Sequence, residues 1–124
     1  MFKPTASLKE VEDFILDVAR NAGPDACPPL ILGIGIGGTF DLAAQLAKKA
    51  LLRPIGTRHA KKHFAAFEKK LVRDINALGI GPMGLGGLTT VLGVNIDSHE
   101  THIAGFPVAV NVSCHATRSA GTVL

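Results

Sequence analysis

Tryptophan and tyrosine are absent from this chain, and its only aromatic residues are six phenylalanines. Proteins that hold single-stranded nucleic acid stack bases on aromatic side chains inside a basic groove. A net charge of only +3, with acids interleaved among the bases, argues further against a nucleic-acid partner. Cysteine is equally scarce, Cys27 and Cys114 being the whole complement. Two cysteines are too few for a disulfide scaffold, for paired C-x-x-C hooks or for a self-sufficient cluster site. No apolar run approaches the ~20 residues of a membrane span, so no membrane partner is expected. The first turns of the chain carry Glu10, Glu12, Asp13 and Asp17. That acidity is foreign to export and transit peptides, so a cytoplasmic setting is expected. In a reducing compartment two cysteines are thiols or metal ligands rather than a bridge.

What is present suits one domain spanning residues 1–124, with 47% hydrophobic and 19% charged residues. Ser7-Leu8-Lys9-Glu10 has the form of a capping box, and Leu8, Val11, Phe14, Ile15, Val18 and Ala19 follow at helical spacing. Gly23-Pro24 stops that helix. Pro29 to Ile36 is short, apolar and rich in β-branched residues, as in a buried strand. Thr39 stands where it caps a second helix, which runs to about Arg53 and ends at Pro54. A third helix is expected from about Ala60 to Leu78, with Phe64, Phe67, Leu71 and Ile75 on one face. Two strands complete the chain: one around Leu92, Val94 and Ile96, the other from Pro107 to Ser113. The order α-β-α-α-β-β gives an α/β class of mixed α and β, three helices with a small sheet.

Glycine is the abundant residue. Nine of the fourteen fall in two segments, 33–38 and 79–87. Glycine costs chain entropy on folding, so such concentration marks sharp turns or something brought close to the backbone. Gly33-Ile34-Gly35-Ile36-Gly37-Gly38 follows a strand and precedes a helix, which is the setting of a dinucleotide fingerprint. No strand ending in an acid follows about twenty residues on, so that reading is not adopted. Tight strand-to-helix packing, or an anion or cofactor met by backbone N–H groups, remain open. Cys27, Cys114, His99 and His102 contain the elements of a Cys2His2 zinc set, but the two cysteines form no hook. His99-Glu100-Thr101-His102 is one residue short of a metalloprotease helix and sits in a turn. Arg58, Lys61, Lys62, Lys69, Lys70 and Arg73 make the third helix basic, which reads as a solvated face.

Several segments together resemble one family. They are Ala26-Cys27-Pro28-Pro29, Gly33 to Asp41, Ala47 to Arg53, Gly79 to Gly87 and Thr101-His102-Ile103-Ala104, with Pro107 to Ala116 closing the set. In that order they resemble the iron–sulfur hydro-lyases, namely class I fumarate hydratase and the α subunit of L(+)-tartrate dehydratase. The resemblance covers nearly the whole chain and corresponds to the later part of the family's α region. It implies a [4Fe–4S] cluster held by three cysteines, with one iron open to substrate. Cys27 and Cys114 look like the second and third of these, and the first lies in an upstream α segment without counterpart here. His102 looks like the histidine that reaches the substrate, and Gly35, Gly37 and Gly38 like backbone that approaches the cofactor. The implied reaction is reversible hydration and dehydration of a C4 dicarboxylate, malate/fumarate or tartrate, in an oligomeric assembly with a β subunit or domain. The alternative is a non-catalytic fragment or binding module, inactive without those partners. After Cys114 the sequence departs from the family, with Thr117 and Ser119 where a more basic run is usual.

Overall fold

The computed structural model describes residues 1–114 and 120–123; His115, Thr117 and Ser119 lie outside the described residues. Three α-helices, α1 (Leu8–Ala22), α2 (Phe40–Ala50) and α3 (Lys62–Asn76), accompany three strands. The strands are β1 (Leu30–Ile36), β2 (Val91–Ser98) and β3 (Val108–Ser113), and short 3-10 turns occupy Gly23–Ala26 and Pro82–Gly84. The α-β-α-α-β-β order and the mixed class are as the sequence predicts. Among the described residues no helix is long and apolar enough to cross a membrane.

The sheet order is β2-β1-β3, with β1 parallel to β2 and antiparallel to β3. A parallel neighbour requires a crossover, and the chain between β1 and β2 supplies it with α2 and α3. Alternation along β1 divides its side chains between two layers. Leu30, Leu32 and Ile34 join Val11, Ile15 and Ala19 of α1, Phe67, Leu71 and Ile75 of α3, and Val91, Val94 and Ile96 of β2 in one core. The other face of β1 is nearly bare. A Cβ at Gly33 would lie 2.1 Å from the Ala47 carbonyl oxygen, and one at Gly35 would lie 1.9 Å from that of Ala43. Those glycines let α2 rest its Ala43, Ala47 and Ala50 stripe directly on the strand backbone. The result is a three-layer α/β/α sandwich.

Local chemistry explains the ends of the elements. Both bonds of the capping box form at Ser7: Glu10 N–H reaches Ser7 Oγ at 3.2 Å and Ser7 N–H reaches Glu10 Oε2 at 2.7 Å. Thr39 occupies the cap position of α2, yet its side chain makes no capping hydrogen bond. α2 also stops at Ala50, short of the expected Arg53, because Leu51, Leu52 and Arg53 turn with i to i−3 backbone bonds. Arg53 is needed elsewhere, at the outer edge of β2. Its guanidinium pairs with Glu68 of α3 and donates to Asn95 Oδ1 at 3.2 Å and to the Ile96 carbonyl at 3.5 Å. Glu68 accepts the Ile96 N–H at 2.8 Å. Asn76, the last residue of α3, accepts the N–H groups of Thr90 and Val91 at 2.7 and 2.9 Å. Gly81 N–H meets Thr90 Oγ1 at 3.1 Å.

Candidate functional site

The β1–β3 register decides where the two cysteines lie. Ile31 stands opposite Ser113, so Cys114, one residue further, emerges beside Leu30, three residues after Cys27. Segments from opposite halves of the chain thus deliver both thiols to one end of the sheet. Neither cysteine is in a disulfide, and both are half-buried. Cys27 has φ 53 and ψ 61, a left-handed conformation that costs a non-glycine residue energy, and its N–H is tied to the Pro24 carbonyl at 3.0 Å. The following Pro28–Pro29 peptide is cis. The second glycine-rich loop packs here: Met83 N–H donates to the Pro28 carbonyl at 2.8 Å, and a Cβ at Gly84 would lie 2.4 Å from Pro24 Cβ. Met83, Leu85 and Leu88 of this loop are exposed apolar side chains. Among the described residues no group of three or more His, Cys, Asp or Glu is placed to hold a metal ion. Two thiols are a soft donor set that suits iron–sulfur ligation but leaves it short of a complete one.

The histidine turn lies at the other end of the sheet. β1 is followed by Gly37 and Gly38, whose N–H groups donate to the carbonyls of Pro107 (2.9 Å) and Glu100 (3.0 Å). A Cβ at Gly37 would fall 1.9 Å from the His99 carbonyl oxygen, so the glycine is required by the turn that crosses it. Thr101 Oγ1 donates to the Gly105 carbonyl at 2.7 Å, and the Gly38 carbonyl is a second acceptor in reach at 3.4 Å. His102 is exposed and its Nδ1 accepts the Ala104 N–H at 3.1 Å. With Nδ1 as the acceptor, Nε2 is the ring nitrogen that carries the N–H, a donor of the kind that can meet a carboxylate. His102 borders a surface cleft of about 420 Å³ with Pro4, Ala6, Thr101, Ile103 and Phe106.

A seven-residue strand at roughly 3.3 Å per residue puts the cysteine and histidine ends about 20 Å apart. The structure therefore places Cys27 and Cys114 at one end of the sheet and His99 and His102 at the other, which excludes the Cys2His2 set. It also gives Gly35 and Gly37 work against neighbouring backbone. The basic third helix divides. Lys70 pairs with Glu12 and Asp74, and Arg73 with Asp74, locking α3 to α1. The hydrogen bonds from Arg73 and Lys70 pull the Asp74 carboxyl down from 3.8 to about 2. Arg58, Lys62 and Lys69 instead rim an open cleft beside β2, above Glu68 and Asn95. The Arg53–Glu68–Asn95 group has no place in the sequence reading. Its signal was an acid, Glu68, inside the apolar stripe Phe64, Phe67, Leu71 and Ile75.

Both cysteines thus belong to one end of an α/β sandwich. The fumarate hydratase family model matches residues 1–123, so the chain belongs to the fumarate hydratase family. It is 50% identical over 120 residues to the putative L(+)-tartrate dehydratase subunit alpha of Methanocaldococcus jannaschii, covering 97% of this chain and 42% of that protein. It is 40% identical over 121 residues to the L(+)-tartrate dehydratase subunit alpha of Escherichia coli K12, covering 98% and 40%. The chain thus spans about two-fifths of the length of these relatives.

Proposed function

We propose that this chain is the part of a hydro-lyase α subunit that supplies two cysteine ligands, Cys27 and Cys114, to a [4Fe–4S] cluster. The observation that carries the reading is the β1–β3 register, which brings both thiols to one end of the sheet from distant sequence. The relatives' name of L(+)-tartrate dehydratase subunit alpha supports a β partner and tartrate, and the fumarate hydratase family supports malate/fumarate, as the alternatives for a C4 dicarboxylate substrate; a cytoplasmic oligomer completes the proposal. When bound, such a cluster supplies a Lewis-acidic iron for the departing hydroxyl. The chain's own part is to hold the thiols. Cys27 is fixed by its left-handed backbone and the Met83–Pro28 bond, and Cys114 by the last rung of β3. The third cysteine and the general base come from the upstream α segment and the β part. Gly35, Gly37 and Gly38 serve by setting where α2 and the His99 turn sit. His102 enters separately, as an Nε2–H donor to a dicarboxylate. The cysteines carry the reading, and the part of His102 is tested apart from them.

Anaerobic co-expression with the rest of an α subunit and a β subunit tests it through iron, sulfide and the cluster's absorption. Cys27→Ser and Cys114→Ser are each expected to abolish the cluster while the fold survives. Full iron content in either variant overturns the ligand assignment. His102→Asn is expected to leave iron content unchanged and to raise KM for the dicarboxylate. An unchanged KM removes it from the substrate site. The 124-residue chain alone, with two thiols and no base, is expected to bind no cluster and to show no hydratase activity.

A further inference from the structure

An antiparallel ladder alternates residues that face the partner strand with residues that face away. Gly37 N–H bonds the Pro107 carbonyl, which fixes the phase of β3. Pro107, Ala109, Asn111 and Ser113 direct their backbone toward β1, and Val108, Val110 and Val112 direct theirs outward. Phe106 confirms the phase, since its carbonyl accepts the Phe2 N–H at 2.9 Å on the outer side, in an isolated antiparallel bridge. Phe2 is anchored there by ring contacts with Phe14 (centroids 5.6 Å apart) and Phe106 (6.3 Å). Beyond the bridge, the Val108–Ser113 edge carries no charge, proline or bulge, the devices by which strands usually refuse a neighbour.

We propose that the outer edge of β3 docks an extended segment as a fourth strand, formed by residues that precede Phe2 in the longer α-subunit chain. The occupant follows from direction. Moving back from Phe2 in an antiparallel pair moves forward from Phe106, so positions two, four and six before Phe2 face Val108, Val110 and Val112. The eighth faces Cys114. The relatives are long enough to hold such a segment, since this chain matches only 42% and 40% of their length. The strand delivers upstream sequence to the cysteine end, where the proposed site needs its third ligand. That last consequence rests on the cluster reading, whereas the docking itself does not.

The test extends the chain at its N-terminus with about ten residues, enough at ~3.3 Å each to run the length of β3, taken from just ahead of the matched region in the Methanocaldococcus jannaschii relative. Amide hydrogen exchange is then read residue by residue, without iron. Exchange at Val108, Val110 and Val112 is expected to slow about tenfold or more relative to the unextended chain. A second extension carries proline at the two positions opposite Val108 and Val110. It is expected to abolish the slowing without altering the folded chain. Unchanged exchange at the three valines, with Ala109 and Asn111 still slow, overturns the proposal. Slowing that survives the prolines also overturns it, as does slow exchange in the unextended chain that rises with protein concentration, which would mean pairing with a second copy. Failure of the cluster reading alone would appear differently, as slowed valines in an assembly that takes up no iron.

Discussion

Along the outer edge of β2, the Ile96 N–H ends on the Glu68 carboxylate and the Ile96 carbonyl faces Arg53. Along the outer edge of β3, Val108, Val110 and Val112 offer their backbone outward, and only Phe2 has begun to pair, at Phe106. At Ile96 one edge is closed by side chains of the chain itself. The other is left in a form that invites a strand. The difference teaches that an edge can be completed in two currencies: an ion pair costs desolvation and fixes geometry once, while a strand must be brought in from elsewhere.

The largest expected effect is at the closed edge. Glu68→Ala leaves Arg53 and the Ile96 N–H without their buried acceptor and is expected to cost about 3–5 kcal/mol in a urea titration. A loss below about 1 kcal/mol would show that the pair does not close the edge. The shared middle strand comes next. Gly35→Ala pushes a methyl into the Ala43 carbonyl and is expected to cost about 1–3 kcal/mol by lifting α2. Thermal unfolding checks it, and an unchanged Tm would mean that α2 does not need the bare strand. At the open edge, Phe2→Ala removes the bridge's ring anchors and is expected to cost less, about 1–2 kcal/mol. If it matched Glu68→Ala, the contrast between the edges would fail.

Acid gives the smallest effect and probes the helix layer on which both edges lean. The Asp74 carboxyl is held below its ordinary value of 3.8, at about 2, by hydrogen bonds from Arg73 and Lys70. Its charged form is the one the fold favours. That stabilisation is present above about pH 4 and is lost as pH falls toward 2, by about 1 kcal/mol once solvent screening is allowed for. Urea titrations of the wild type and Asp74→Asn between pH 5 and 2 are expected to converge. Parallel curves would deny Asp74 that role.

Much of the fold was legible in local chemistry, because capping, periodicity and breakers act over a few residues. The Ser7 capping box, the stripe Val11, Ile15 and Ala19, and the strand at Leu30–Ile36 all stand as the sequence predicts. What local patterns lack is the partner across space. Gly33 and Gly35 read either as a packing surface or as backbone open to an anion or cofactor until the carbonyls of Ala47 and Ala43 lay against them. α2 ended early in i to i−3 turns, and Arg53 beyond them meets Glu68, a residue fifteen positions away that sequence alone did not pair with it. For the site, motif order singled out Cys27 and Cys114, but only the register of β3 on β1 set them at one end and His102 at the other. That register depends on backbone bonds between distant segments, which no short motif encodes.

Asn76 ties the end of α3 to the start of β2, and the glycine-rich stretch between them hangs from that knot. The core is therefore fastened on the near side of the loop, while Met83, within the loop, props the segment that carries Cys27. Folding and ligand placement are consequently separable by position. Insertions, deletions or a protease cut between residues 82 and 88 should spare the sandwich and loosen Cys27, leaving a chain that is intact by every measure of stability and impaired in holding its thiol in place.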